Sequence, residues 1–211
     1  MATQPAVPSF VYLGGDPALD LVNTVDWTPL GTLHEQLTTY HALTAWAEGA
    51  GVISATVRAR LRRAARRRPQ EAVRVLRRAR EIRAILQGVF TTEAHAGERS
   101  RFFEAYNLLL HQAVQRLELR TEEQERKSAA ARMRWSWASF GESLDSLLWP
   151  IVWSAATLLV SEEADRIRTC GGEDCGWVYV DRSRNGLRRW CRMEICGTQA
   201  KSRRRRARNA Q

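Results

Sequence analysis

The stretch CGGEDCGWVYVDRSRNGLRRWCRMEICGTQAKSRRRRAR, residues 170–208, decides the fold of the C-terminal part of this chain. It holds all four cysteines of the 211-residue sequence, as two C-x4-C pairs with 15 residues between them. Such a pair brings two thiolates to one Zn²⁺ at about 2.3 Å, and in a reducing cytosol a cysteine cluster indicates metal before disulfides. The spacing therefore predicts one structural zinc ion on Cys170, Cys175, Cys191 and Cys196. Two disulfides, free thiols, an iron–sulfur cluster and a catalytic zinc are the alternatives.

The residues around the cysteines favour a compact zinc module. Glycines flank both pairs, where the chain must curl tightly to aim its amides at the sulfurs. The alternating run WVYV (177–180) predicts a short strand, and SRNG (183–186) predicts a turn that returns the chain to Cys191. The proline-free segment after Cys196 predicts a basic helix. Together these features indicate a treble-clef or ribbon-like four-cysteine module.

The same residues carry a family resemblance. The pattern C-x4-C…DRS…RRWC-x4-CG followed by a basic helix resembles the CGNR zinc-finger family, although Thr198 and Gln199 stand where the family has Asn-Arg. In that family the module follows an N-terminal ABATE domain, and LDLVNT (19–24) resembles the start of that domain. The resemblance implies a stress-related transcription regulator that binds DNA and has a ligand-binding or stress-sensing domain.

The first three quarters of the chain predict a mainly helical domain with a small β-hairpin. Asp16 before Pro17 marks one helix start, and Ser54 begins a helix that ends before Pro69. RLELRT (116–121) and ARMRWSWASF (131–140) alternate apolar and polar residues, so we expect a hairpin followed by a helix over about 141–160. A change in composition near residues 162–165 predicts two domains, 1–163 and 164–211.

The charge is concentrated in two zones. The net charge of +10 combines +9 over residues 166–211, +10 over residues 58–83 and −9 elsewhere. Such zones indicate a polyanionic partner for at least one of them. The N-terminus lacks a signal-peptide pattern and the longest apolar stretch has 14 residues, so we expect a cytoplasmic protein without a membrane partner.

The basic tail predicts contacts with nucleic acid. Four consecutive arginines on a helix point all the way round it, so they are either solvated or bound to phosphate. Base reading needs side chains such as Arg for guanine or Gln for adenine. The candidates are Arg182, Arg184, Arg188, Arg189, Arg192, Gln199, Lys201, Arg203, Arg204, Arg205 and Arg206. Duplex DNA is the expected partner, and RNA remains possible.

The other zone and the helical domain are less specific. Residues 58–83 could be a solvated basic face, a second nucleic-acid surface or a subunit contact. Asp20, Asn23 and Trp27 could bind a small-molecule effector, although the two polar side chains could equally bond neighbouring backbone. No catalytic motif is present, so we do not expect an enzyme. The favoured interpretation is a zinc-containing DNA-binding regulator; the alternative is a zinc-stabilised module that binds RNA or an acidic protein.

Overall fold

The computed structural model describes residues 9–28, 31–91, 96–121, 132–173 and 175–209, without the side chains of 27, 28, 31–33 and 96–99. The helices are α1 (Pro17–Val22), α2 (Tyr40–Gly49), α3 (Ala55–Arg67), α4 (Pro69–Thr91), α5 (Ala96–Val114), α6 (Leu148–Leu159) and α7 (Thr198–Asn209). The strands are β1 (Val25–Thr28), β2 (Gly31–Glu35), β3 (Leu117–Thr121), β4 (Met133–Trp137), β5 (Ile167–Thr169) and β6 (Val178–Val180). Pairs β1–β2, β3–β4 and β5–β6 form three antiparallel two-stranded sheets. This confirms the predicted fold class, mainly helical with small sheets and a C-terminal zinc module.

Side-chain caps explain where the helices begin. Asp16 accepts a hydrogen bond from the Ala18 amide at 2.8 Å, with Pro17 at the first helical position of α1. Thr39 caps α2 and Ser54 caps α3 in the same way. Each side chain satisfies an amide that has no partner within its helix.

The hairpin predicted for the tryptophan-rich region is confirmed. Leu117 pairs with Trp137 and Leu119 with Trp135 across β3 and β4, so all four side chains share one face. Residues 122–131, which include the whole segment between the two predicted strands, lie outside the described residues. The outer half of this face is open, because Leu119 and Trp135 are more than half exposed.

One local prediction needs correction, and one element was missed. The β1–β2 hairpin was not predicted from the sequence. The helix expected from about residue 141 begins only at Leu148, because residues 142–147 form tight i→i+3 turns, the last closed by the Leu148 amide on the Asp145 carbonyl at 2.8 Å. These turns lack the i→i+4 bonds of an α-helix, and Ser139 and Gly141 before them have positive φ angles of 53° and 81°.

Helix α1 is the centre of the main core. All of its residues from Ala18 to Val22 are buried, and it packs against α4, α6 and β6. Val178 and Val180 of β6 belong to this same core. The strand between the two cysteine pairs is therefore part of the packing of the helical domain, and the domain limits 1–163 and 164–211 stay a prediction.

None of the helices in the described segments is both long and apolar enough to cross a bilayer.

Candidate metal centre and nucleic-acid interface

The four cysteines converge on one point. Their Sγ atoms all lie within 4.8 Å of one another, and the Cys175–Cys191 and Cys191–Cys196 distances are both 3.6 Å. Four sulfurs placed tetrahedrally at about 2.3 Å from a zinc ion would be about 3.8 Å apart. No pair is disulfide-bonded. The cluster fits one structural zinc ion, as the spacing predicted, and four thiolates leave no open position for a catalytic water.

Tight backbone turns bring the sulfurs together. Cys170 follows β5, and Cys196 lies in a π-helical turn, Met193–Gly197, that runs directly into α7. A Cβ atom at Gly172 would approach the Cys196 Sγ to 3.4 Å, and one at Gly197 would meet the Met193 Sδ at 2.3 Å. Glycine at these positions therefore makes the room that the cluster needs.

The cluster also perturbs its own thiols. Hydrogen bonds from the Cys175 and Cys191 thiols lower the pKa of Cys170. The hydrogen bond between Cys191 and Cys170, together with burial, raises the pKa of Cys191. Because zinc binds thiolates, its binding to this cluster must release protons.

Tyr179 and Asp181 hold the segment between the two cysteine pairs through hydrogen bonds to its backbone. Both are fully buried. The Tyr179 hydroxyl donates to the Arg188 carbonyl at 2.7 Å, and the Arg188 guanidinium lies 4.2 Å from the centre of the Tyr179 ring. Asp181 accepts the amides of Ser183 and Arg188, both at 2.9 Å, and hydrogen bonding from Ser183 lowers its pKa.

Arg188, a predicted nucleic-acid residue, is used inside the module. Besides covering Tyr179, it donates to the carbonyls of Trp190 at 3.1 Å and Cys191 at 2.6 Å. Its guanidinium therefore holds the segment that leads into the second cysteine pair. Its role in the structure is to support the metal site.

Asn23, a predicted ligand residue, joins the helical domain to the module. Its amide donates to the Val178 carbonyl at 2.8 Å and accepts the Val178 amide at 2.9 Å. The Val180 amide donates to the Gly14 carbonyl at 2.8 Å. Asn23 thus completes the outer edge of β6 as a neighbouring strand would. We call Gly14, Asn23 and these two valines the β6 clasp.

Asp20 holds the other half of the clasp in place. Its carboxylate accepts the Gly14 amide at 2.7 Å. Asp20 is buried, and this desolvation raises its pKa from 3.8 to about 6. The Asp20 and Asn23 side chains are therefore both engaged with backbone, while the side chain of Trp27, the third predicted ligand residue, lies outside the described residues.

Arg182 forms a second link between the two parts. It makes a bidentate ion pair with Glu163 at 2.6 and 2.8 Å and donates to the Gly15 carbonyl at 3.1 Å. Hydrogen bonding with Glu163 raises the pKa of Arg182 and lowers that of Glu163. Sequence reasoning missed Glu163 and Gly14, because nothing local marks partners so far from residues 178–182.

Most of the remaining predicted nucleic-acid residues face solvent. Helix α7 has no buried residue and contacts the π-helical turn that carries Cys196. Arg203 pairs with the exposed Glu173 at 3.4 Å. The exposed members are Arg184, Arg189, Gln199, Lys201, Arg204, Arg205 and Arg206, and Arg192 is half-buried.

A groove of about 660 Å³ lies beside these arginines. Arg189, Trp190, Arg192 and Met193 line it from the module, and Leu13 lines it from the N-terminal segment. The Arg189 guanidinium lies 5.3 Å from the centre of the Trp190 ring. The groove thus combines cationic and apolar side chains next to the metal site.

A four-cysteine zinc finger packed on a helical domain is the class of protein that this fold and site define. A family model described as "CGNR zinc finger" matches residues 166–209, and the ABATE model, described as "Putative stress-induced transcription regulator", matches residues 15–162. The chain belongs to the ABATE family and carries a CGNR zinc finger, as the sequence resemblance indicated. These are regulator and zinc-finger families. A comparison with curated proteins gave no match.

Proposed function

We propose that this protein is a DNA-binding transcription regulator whose zinc module presents α7 to duplex DNA. The observation that carries the proposal is the position of α7. It follows the fourth cysteine directly, buries none of its residues and carries consecutive exposed arginines. A helix that buries no apolar side chain keeps its charged residues in contact with water or with phosphate. Because α7 directly follows the fourth cysteine, zinc binding holds the start of the helix in place.

The proposed DNA surface consists of α7 and the module's exposed loop. Arg204, Arg205 and Arg206 supply phosphate contacts, with Arg184 and Arg189 on the loop. Gln199 and Lys201 lie in the first turn of α7 and are proposed to reach base edges. Arg182 and Arg188 contribute by holding the module in shape.

A selection from a random duplex pool at about 150 mM salt, where loose surface charge contacts are screened, tests this function. The zinc-loaded full chain is compared with an Arg204→Gln, Arg205→Gln, Arg206→Gln variant. We expect the wild type to enrich a motif and the variant to lose retention. DNA retention that is equal in both proteins would overturn the assignment to α7.

A protein partner is the second candidate, favoured by apolar side chains at the groove. Leu187 is 75% exposed and Met193 is 53% exposed. Exposed apolar side chains mark a binding surface when they lie close together, as these two do at the groove. A Leu187→Ser, Met193→Ser variant that keeps DNA binding but loses a co-purifying acidic protein would support this candidate.

We also propose that the helical domain senses a small molecule in a groove of about 1120 Å³. Phe90, Phe103 and Val160 line it from α4, α5 and the end of α6, and Ile167 and Arg168 line it from β5. A ligand there would touch both parts of the chain. A thermal-shift screen of metabolites tests it, with loss of the hit in a Val160→Arg variant as the expected result and an unchanged shift as the contrary one.

A further inference from the structure

The structure divides the basic zone at residues 58–83 into two halves of different character. In α4 four of the five arginines are paired with carboxylates: Arg77 and Arg78 with Glu81, and Arg80 and Arg83 with Glu35. Arg68, the residue before α4, pairs with Glu71, while Arg74 is exposed and has no ion pair among the described residues. This half is a largely neutralised helix surface, and Arg83 is buried within the core.

Helix α3 differs. Arg60, Arg63, Arg66 and Arg67 are exposed, and none of their guanidinium groups forms a hydrogen bond or ion pair with a residue in the described part of the chain. At 100° per residue these four positions fall within an arc of about 120°. We call these four residues the α3 arginine face.

The opposite side of α3 explains why this face stays outward. Leu61 is fully buried, and Val57, Ala64 and Ala65 pack against the core around it. This narrow apolar stripe fixes the rotation of the helix. The α3 arginine face is thus held in one orientation, with its charges concentrated over about two turns.

Concentrating these charges opposes helix stability. Arg63 lies three residues from Arg60 and Arg66 and four from Arg67, the spacings at which like charges repel each other on a helix. Burial of the apolar stripe does not require arginine at these outward positions. A polyanion would relieve this repulsion.

Contacts through the N-terminal segment link helix α3 to the zinc module. Arg58 of α3 pairs with Glu48 of α2. Tyr12 packs against Gly49, the next residue, and donates to the Trp46 carbonyl at 3.1 Å. Leu13, adjacent to Tyr12 in the chain, lines the groove formed by residues 187–194. A chain of contacts thus runs from α3 through the end of α2 and the N-terminal segment to the module that carries the other arginines.

We propose that the α3 arginine face is a second phosphate-binding surface, which engages the same duplex DNA as the zinc module. This rests on the proposed function. The module reads and anchors the DNA, and α3 neutralises the backbone beyond it without contributing sequence preference. A rigid helix with four arginines on one side suits a double-stranded backbone, which carries about one charge per 1.7 Å of its axis.

The test measures the affinity of the zinc-loaded full chain for a labelled random-sequence duplex, by fluorescence anisotropy, from about 50 to 300 mM salt. The α3 variant is Arg60→Gln, Arg63→Gln, Arg67→Gln. A control with the same charge change is Arg77→Gln, Arg78→Gln, Arg101→Gln on α4 and α5. Because each phosphate contact contributes about 0.9 to the log–log slope, we expect the α3 variant to lower the slope by about 2 to 3 and the control by less than about 0.5.

Several outcomes separate this inference from the proposed function. Equal log–log salt slopes for the α3 variant and the control overturn the α3 surface. In that case the proposed function still stands if the triple α7 variant, with Arg204, Arg205 and Arg206 changed to Gln, binds DNA more weakly than the wild type. If the wild type and the α7 variant bind DNA equally, the proposed function fails as well. Single-stranded RNA and phosphatidylserine vesicles are run as parallel probes. A loss in the α3 variant confined to either probe overturns the duplex assignment.

The variant is also checked for folding. Removing like-charge repulsion from exposed positions should leave the melting temperature unchanged or higher. A second variant, Arg63→Glu, carries one substitution and keeps the apolar stripe intact. Its duplex binding should weaken more than that of Arg77→Glu, and equal weakening would count against the α3 surface.

Discussion

The helical domain and the zinc module are held together by different means. In the helical domain α1 is fully surrounded by α4, α6 and β6, and apolar side chains provide the core. In the module, the buried cluster consists of Cys170, Cys191, Cys196 and Tyr179. A module this small cannot build a sufficient core of its own, so the metal takes that part. The comparison teaches that β6 belongs to both regions, since its valines join the helical core while its tyrosine supports the cysteines.

The largest effect should come from losing the metal. Replacing Cys191 and Cys196 together by serine removes two of the four ligands, and structural zinc sites contribute about 10 kcal/mol or more to folding. We expect one zinc per chain in the wild type, none in the variant, and a module that no longer folds. Elemental analysis and circular dichroism measure this.

Helical signal should largely survive in that variant, because most of the core around α1 comes from the helices and only its residues Val178 and Val180 come from between the cysteine pairs. If the zinc-free wild type melted at the same temperature as the zinc-loaded protein, the metal would not stabilise the module. An Arg184→Ser variant, changed at an exposed loop position, serves as the control.

The β6 clasp should produce the next largest effect. Asn23→Ala leaves the amide and carbonyl of Val178 buried without partners, and each such group costs about 1–3 kcal/mol. We expect the free energy of unfolding to fall by about 2–4 kcal/mol in urea titrations. Zinc should also be released at lower chelator concentration, which a purely local defect in α1 would not cause.

Asn23→Asp gives a sharper version of the same comparison. Aspartate keeps an acceptor for the Val178 amide and replaces the donor to its carbonyl with a second oxygen. Its stability should be as low as that of the alanine variant or lower. Wild-type stability in both variants would mean that the clasp does not couple the regions.

Asp20 should make the clasp sensitive to pH. Its pKa of about 6 exceeds the ordinary 3.8 because of burial, so between these values the folded protein keeps a proton that the unfolded chain has lost. Stability from this residue is therefore present below about pH 4 and is lost as pH rises to about 6, by about 2–3 kcal/mol.

Asp20→Asn removes this titration. Denaturant titrations at pH 4 and pH 7 give the free energy of unfolding of both proteins. The wild type should lose more of this free energy between pH 4 and pH 7 than Asp20→Asn does. Asp165→Asn, at an exposed acid, is the matched control. Parallel pH profiles for the wild type and Asp20→Asn would contradict the burial effect.

The smallest effect is expected at the Arg182–Glu163 pair. Both side chains are substantially exposed, at 55% and 38%, and water and salt screen exposed ion pairs strongly. Arg182→Gln should therefore lower stability much less than Asn23→Ala does, and less still at high salt. If Arg182→Gln lowered the free energy of unfolding as much as Asn23→Ala does, the main link between the two regions would be the Arg182–Glu163 pair.

The sequence predicted what depends on local spacing. The zinc ligands follow from two C-x4-C pairs, the caps at Asp16 and Ser54 follow from their neighbours, and the β3–β4 hairpin follows from alternation. It could not show that Asn23 would bond Val178, 155 residues away, because a side chain that mimics a strand edge leaves no periodic signal. The late start of α6 follows from tight turns over residues 142–147, which no residue pattern in the sequence marks.

The basic residues show the same limit. Arg182 and Arg188 look like Arg184 and Arg189 in the sequence, yet the guanidinium groups of the first two are hydrogen-bonded within the chain. Those of the other two have no hydrogen-bond partner among the described residues. Their difference depends on Glu163 and Tyr179, which tertiary structure brings beside them. Charge content therefore located the basic surface but did not say which arginines are available to a partner.

The most direct test of the central claim is duplex binding by one protein sample with and without its zinc. Anisotropy of a labelled duplex is measured for the loaded protein, after chelation, and after zinc is returned. If the zinc-held module positions α7 for DNA, binding is strong, is lost on chelation and is restored by zinc. Equal binding by the zinc-free protein would contradict the account, because the arginines would then act as an unstructured basic tail.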